Sequence, residues 1–431
     1  MSFVELQKPI LDGGVRSVNF FNGRLLSGED LTQERAANRI VDWRLGRAIG
    51  AGIAYGLEVT EATGVSTKAA PVVAVAAGLA INGQGQTLAL PQQTNVTLVR
   101  ADSPLPATKG VFSVCLPPQG GALVVGTGVY LLVLSPASGS DGKAPASGLD
   151  CCEAICNTRY VVEGVQFRLV QVPLALNEFQ LGNRLRNHTA YRFFGNEDPG
   201  YRRAFADPFG SGTREYGMLA TLRQQKCVTD CDVPLAILMW SAAKGLEFID
   251  RWSVRRRLTH PTAIDSWGSW IGDRRVSEAE AMFLQFQEHA ADLIRTSATT
   301  PVLVDDHFTA LPPLGVLPIR TPAVSTGFDL ETFFGSHASQ DVALIDGRQL
   351  RALAHDALDH EPMKVTDTGR IQLYLLWENI RDQEQGSATQ MSAVFASPAL
   401  PYSGRPRFGK GIRTGRSFGR FGLSRFAPRV I

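Results

Sequence analysis

Between Val18 and Val59 the apolar spacing changes twice. Val18-Asn19-Phe20-Phe21 reads as a short strand and Asn22-Gly23 as a turn. Ser27-Gly28-Glu29-Asp30 is a helix start, with the Ser27 hydroxyl placed to accept from the amide near Asp30. The helix then runs to about Ile49. Its apolar side holds Ala37, Ile40, Val41, Leu45 and Ala48, while Glu34, Arg35, Arg39, Asp42 and Arg47 cover the remainder. Gly46, Gly50 and Gly52 break the helix and open into a strand entry at Gly56-Leu57-Glu58-Val59.

From about Pro71 to Leu258 the pattern becomes short β-branched runs separated by turn residues. Val72–Val75 and Leu79–Ile81 lead into Asn82-Gly83-Gln84-Gly85, and Thr87–Leu90 follows, which is a hairpin by its turn chemistry. Val129–Leu134, Gln166–Val170 and Leu235–Trp240 are further strands. Ser135 to Gly148 reads as a Ser/Gly/Ala loop, and Asn177 to Gln225 as an insertion with a helix around Leu181–Ala190. A second helix starts at Ser277 and runs to about Arg295, with Met282, Phe286, His289, Ala290 and Leu293 near one face. The proline-set turn Leu311–Pro318, the helix Gly347–Leu358 and the strand Ile371–Trp377 complete a small module.

These elements predict an α+β chain, predominantly β, built on a β-sandwich or barrel core. Five divisions follow: a strand-helix docking element over 1–62, a β-rich core over 63–260 with its insertion near 177–225, a helical connector over 261–300, a small α/β module over 301–402, and a basic Gly/Arg/Phe arm over 403–431.

Charge gives the arm its meaning. The 431 residues carry 43 Lys and Arg against 41 Asp and Glu, so the total is near neutral. Eight of those cations and none of the acids lie between Ser403 and Ile431, which leaves the preceding body net acidic. Gly and Phe alternate with the arginines there, so the arm has little stiffness and no amphipathic period. Its expected role is contact with a neighbouring subunit through Arg413, Arg416, Phe418, Arg420 and Phe421; phosphate contacts with nucleic acid are the alternative. At 44% hydrophobic the chain has enough apolar residues for substantial cores, and no stretch has the length and apolarity of a membrane span. The start lacks a charged head followed by an apolar run, and the expected site of synthesis and assembly is the cytoplasm.

Cysteine supplies the sharpest candidate chemistry. Cys152 and Cys156 are separated by three residues, as are Cys227 and Cys231, and four thiolates could close a tetrahedral zinc site. The spacing is not that of a zinc knuckle, so structural zinc, two disulfides and unpaired thiols all stay open, while Cys115 is most simply a core residue. His355, Asp356, Asp359 and His360 are spaced as an imidazole–carboxylate cluster on a helix, which would serve a metal-dependent hydrolase; the plain alternative is a solvated helical face. Asp305-Asp306-His307 poses the same choice. No Gly-x-Ser-x-Gly elbow, phosphate loop or dinucleotide turn is present.

Several of these stretches resemble a family of bacterial proteins associated with phage-tail-like contractile injection systems and tail baseplates. The likeness lies in Asn19–Leu31 with its helix, Gly50–Val59, Ala77–Gly85 and Leu311–Pro318, together with Cys152, Cys156 and Arg159-Tyr160-Val161-Val162-Glu163-Gly164. The helix ends in Arg47-Ala48-Ile49-Gly50 where relatives often have a His-Gly pair, and the basic arm has no counterpart in the resemblance. It implies a non-enzymatic structural or adaptor subunit of a large particle, near the baseplate or as an attached external element, bound to other subunits and to copies of itself. Docking would use Phe20, Phe21, Arg24 and Leu25. A carbohydrate- or receptor-binding module of a tail fibre is the rival reading, using Tyr191, Arg192, Tyr201 and Arg202 from the insertion.

Overall fold

The computed structural model describes residues 11–68, 70–98, 126–145, 156–175, 177–196, 216–241, 243–259, 273–296, 301–321, 324–366, 371–384, 390–397 and 400. Among the described residues helix and strand take near-equal shares, about 33% and 34%, so they are mixed rather than predominantly β; their sheets are mostly antiparallel and none closes into a barrel.

Helix α1 (Gly28–Ile49) starts as the sequence predicts. Ser27 caps it, accepting from the Asp30 amide while Asp30 accepts from the Ser27 amide. The preceding Val18–Phe21 segment is not a strand. Its Val18 amide donates instead to Glu34 Oε2 at 2.9 Å, tying the segment to the helix. The side of α1 that meets the body also differs from expectation. Ala37 is buried as expected, and Gly46 is buried with Ala36, Arg39 and Trp43 half-buried, whereas Ile40, Val41, Leu45 and Ala48 are exposed. The reason is a close backbone approach. Gly46 lies on the turn of the 82–86 hairpin, where a Cβ would collide with the Gly85 carbonyl, and a Cβ on Gly85, itself at φ +82°, would collide with the Trp43 carbonyl.

The short strands β1 (Gly52–Gly56), β4 (Gly78–Ile81) and β5 (Thr87–Leu90) form one sheet in the order β1-β4-β5; β2 (Val59–Glu61), β3 (Val72–Val75) and β6 (Thr94–Thr97) form another in the order β2-β3-β6. Residues 52–61 thus pair directly with residues 72–90. Against them lies a central antiparallel sheet of β7 (Gly128–Pro145), β8 (Cys156–Gln171), β9 (Val233–Ser241) and β10 (Gly245–Asp250), ordered β10-β9-β7-β8. Leu132, Leu134, Leu235 and Leu238 face the small sheets, while Val129, Leu131, Val133, Ile237 and Met239 face α2 (Leu185–Phe194) and α3 (Gly217–Gln224). Both faces are therefore buried, which explains the near-continuous apolar runs of β7 and β9.

The stretch from Ser135 is not a loop. It continues β7 to Pro145, paired with β8 from Gln166 down to Cys156. The small residues of 135–145 carry little strand signal of their own, and the partner run Tyr160-Val161-Val162 supplies it. Since β9 pairs only with Gly128–Leu134, the outer half of this hairpin is a two-stranded ribbon.

Helix α4 (Asp273–Thr296) spans the expected connector but is a core element. Phe286, Ala290 and Leu293 pack with Phe308, Phe333, Phe334 and Phe395 on one face of the second four-stranded sheet, β12 (Leu314–Pro318), β16 (Ser392–Ala396), β15 (Ile371–Leu376) and β13 (Ala338–Ile345), in the order β12-β16-β15-β13. Helix α7 (Gly347–Ala357) covers the opposite face through Leu353 and Ala357 and connects the parallel pair β13 and β15.

Replacing Gly46 by Ala should test the helix–hairpin contact cleanly, because Ala favours an isolated helix by about 1 kcal/mol over Gly. We expect the α1 amides to lose hydrogen-exchange protection by about tenfold or more while β7 and β9 keep theirs. Increased protection of α1 would show that propensity outweighs the contact.

Candidate docking surface and buried polar seam

The N-terminal element is the most apolar part of the described surface. Among the large hydrophobic side chains that stand exposed, Leu11, Phe20, Phe21, Leu25, Leu26, Leu31, Ile40, Val41, Leu45 and Ile49 all belong to residues 11–49. Leu25 is 94% and Phe21 62% exposed. By the helical period, Leu31, Val41, Leu45 and Ile49 share a side of α1 turned away from the body. Scattered exposed apolar residues need no explanation, whereas a concentration on one element marks an interaction surface.

A local frame holds that surface in shape. Arg24 donates to the Asn19 carbonyl at 2.6 Å and pairs with Asp30 at 2.5 Å, and its guanidinium lies 6.0 Å from the Phe21 ring centre. The Ser27 amide, then the Ser27 hydroxyl and Arg24, hold the Asp30 carboxyl below its ordinary value. The expected docking residues Phe20, Phe21, Arg24 and Leu25 are thus brought together, with Arg24 as the brace and the three apolar side chains outward. Arg39 and, at 3.7 Å, Arg35 reach Glu163 on β8, so α1 is anchored to the ribbon as well as to the hairpin turn.

A second polar region joins the two sheet units. Arg186, on α2, is buried and pairs with Asp250 at 3.3 Å and Asp292 at 2.6 Å. Asp250 also accepts from Gln285 at 2.8 Å, from the Ser253 amide at 3.0 Å and from the Ser253 hydroxyl. Arg251 pairs with Glu288 at 2.8 Å. Burial by itself would lower the Arg186 pKa, but Asp250 and Asp292 outweigh it and hold the guanidinium above its ordinary value. Burial pushes Glu288 up and His289 well down, Arg186 adding to the latter. A cleft of about 930 Å³ opens beside this seam, lined in part by Arg186, Glu288, His289, Asp292 and His307. In the sequence His289 stands out only as a helical face position, and the seam is not visible because its charges are spread over β10, α2 and α4.

The four cysteines of the zinc reading fall only in part on the described residues. Cys231 is disulfide-bonded, Cys227 is a free, half-buried thiol, and Cys152 lies outside the described residues. Cys156 pairs with Pro145 near the outer end of the ribbon, while Val233, two residues after Cys231, pairs with Leu134 where the ribbon enters the central sheet. Among the described residues no three His, Cys, Asp or Glu side chains form a metal-binding group.

In the other predicted cluster, His360 meets Asp356 at 3.6 Å, but α7 ends at Ala357, so His355 and Asp359 are not helical neighbours. Asp305 instead pairs with His337 at 2.9 Å. Tyr191, expected on an exposed binding face, is buried against Phe194, and Arg192 is bonded to Glu178 at 2.6 Å. Helix α2 faces the core because it fills the space between the central sheet and α4. Tyr201 and Arg202, and the arm residues Arg413, Arg416, Phe418, Arg420 and Phe421, lie outside the described residues. Among the described residues no helix is long and apolar enough to cross a membrane. Comparison with protein-family models and with curated proteins finds no match to the chain.

Two outcomes follow from the seam. Asp250→Ala removes one of the two carboxylates facing a buried guanidinium and the acceptor of Gln285 and Ser253, and should cost about 3 kcal/mol of stability, read from denaturant unfolding. His289 has a folded-state pKa below its ordinary 6.5, so the unfolded chain binds the extra proton. The stability it contributes is complete above about pH 6.5 and is lost as pH falls toward the folded value. Thermal unfolding between pH 7 and 5 should show that loss, with a shallower slope in His289→Leu; an unchanged slope would assign the acid sensitivity elsewhere.

Proposed function

We propose that this protein is a non-enzymatic structural or adaptor subunit of a phage-tail-like contractile injection particle, near its baseplate or as an attached external element. The observation that carries the reading is the concentration of exposed apolar side chains on residues 11–49, held rigid by Arg24, Asp30 and the Ser27 cap. A surface of this kind is costly to leave in water and is explained by a partner that covers it. The stretches that resemble the particle family support the same reading, because Asn19–Leu31 is the exposed segment and Gly85, in Ala77–Gly85, receives α1 at Gly46.

The chain is made in the cytoplasm and taken into the particle there. The cationic arm from Ser403 adds contacts at positions the body does not reach. Neither role requires catalysis, and the seam of Arg186, Asp250 and Glu288 serves to join the two sheet units.

The deciding experiment is sedimentation of a gently lysed native producer, with this protein followed by immunoblot and its co-sedimenting partners identified by mass spectrometry. We expect it in a very large particle with tube and sheath proteins. Replacing Phe20, Phe21 and Leu25 together by Ser should leave the isolated protein folded, since these side chains are exposed, yet move it from the particle to the soluble fraction. Wild-type protein recovered only as a small soluble species would overturn the assignment.

A further inference from the structure

Among the described residues no strand pairs with the outer edge of β8, and we propose that β8 pairs edge to edge with β8 of a second copy of this chain, antiparallel about a two-fold axis at Val161. This does not rest on the particle reading. Strand β8 ends its sheet, and no strand among the described residues lies beyond it. Such an edge is a template for another chain unless something blunts it.

The sequence of β8 selects the register. In an antiparallel pair, directly opposed residues both turn their amide and carbonyl toward the partner or both turn them away. When a strand pairs with its own copy, opposed residues must therefore be an even number of positions apart. Between Cys156 and Gln171 the acid is Glu163, and the bases are Arg159 and Arg168. Arg168 is an odd number of positions from Glu163, and it is already held by Asp232 at 2.7 Å and by the Cys227 carbonyl at 2.9 Å. Arg159 meets the parity condition. Its own chain offers it the Tyr160 ring, 5.0 Å from the guanidinium carbon, and no carboxylate among the described residues.

Opposing Arg159 to Glu163 places the axis at Val161 and forms the charge pair twice. It also opposes the exposed Tyr160 to the exposed Val162 twice, an aromatic and β-branched pair of the kind that stabilises sheets. Glu163 keeps its contacts with Arg39 and Arg35, because a carboxylate offers about four acceptor sites. The overlap runs from Cys156 to Gln166, so the two bodies lie at opposite ends of the paired ribbons.

The test uses the full chain. In Val161→Cys the introduced thiols face each other across the axis at a Cα separation of about 4.5–5.5 Å, within disulfide reach. Mild oxidation should give a covalent dimer whose linked peptide, read by mass spectrometry, joins position 161 to itself; Val165→Cys, opposed to Asn157, should not. Arg159→Glu alone and Glu163→Arg alone should each weaken self-association by about tenfold in sedimentation equilibrium. Mixing the two variants should restore a heterodimer, because each charge then meets its opposite. A monomeric wild-type chain, linkage at 165 in place of 161, or failure of the mixed variants to associate would overturn the proposal.

Discussion

The carboxylate of Asp250 ends the last strand of the central sheet and faces a buried guanidinium from α2 and an amide from α4. A buried charge is tolerated only when it is matched and hydrogen-bonded, and here the matching groups come from three separate elements. Arg186 in turn reaches Asp292 one helical turn from Glu288 and His289. Near it, Asn187 Oδ1 accepts from the Thr309 and Ala310 amides at 2.8 and 3.0 Å, which brings the second sheet unit onto the same helix. Apolar packing alone would permit small sliding of one unit on the other. These directional bonds fix one arrangement, and α4 can then serve both units along one face, through Met282 in the cluster with Tyr191 and Phe194 and through Phe286, one turn on, in the cluster with Phe308 and Phe395.

With the two units set, the N-terminal element is held by different means. It contributes little to any core: in the whole of α1 only Ala37 and Gly46 are buried. Its position depends on backbone contact at Gly46 and Gly85 and on two arginines reaching Glu163. This division suits a subunit whose body folds independently of what it binds. The docking face can change its apolar residues without disturbing packing beneath it, because those residues have no packing role inside the monomer.

Local signals were legible where a few neighbouring residues decide the outcome. The start of α1 followed from Ser27 and Asp30, and the 82–86 turn from Asn82 and its glycines, with Asn82 Oδ1 accepting from the Gln84 and Gln86 amides. Phe20, Phe21, Arg24 and Leu25 were legible as a motif, though their exposure was not. What failed was decided at long range. The apolar face assigned to α1 was displaced by a glycine contact with a turn far along the chain. Residues 135–145 have the composition of a loop because their strand character belongs to the partner across the ribbon. Helix α4 has the face that the sequence predicts, with Met282, Phe286, His289, Ala290 and Leu293 all buried, while the phenylalanines of residues 308–395 that this face packs against lie far along the chain. The seam was invisible because its charges, taken singly, look like solvated faces.

The ribbon also has a mechanical meaning. Strand β7 is continuous from its exposed tip into the middle of the central sheet, where it is hydrogen-bonded to β8 on one side and β9 on the other. A pull on the tip along the strand axis is therefore delivered to the sheet lengthwise, and many backbone bonds on both flanks of β7 must give way together. The same pull applied across the ribbon would open its two strands one pair at a time. The hairpin is in effect a strut anchored between two strands of the central sheet, strong along its length and compliant across it.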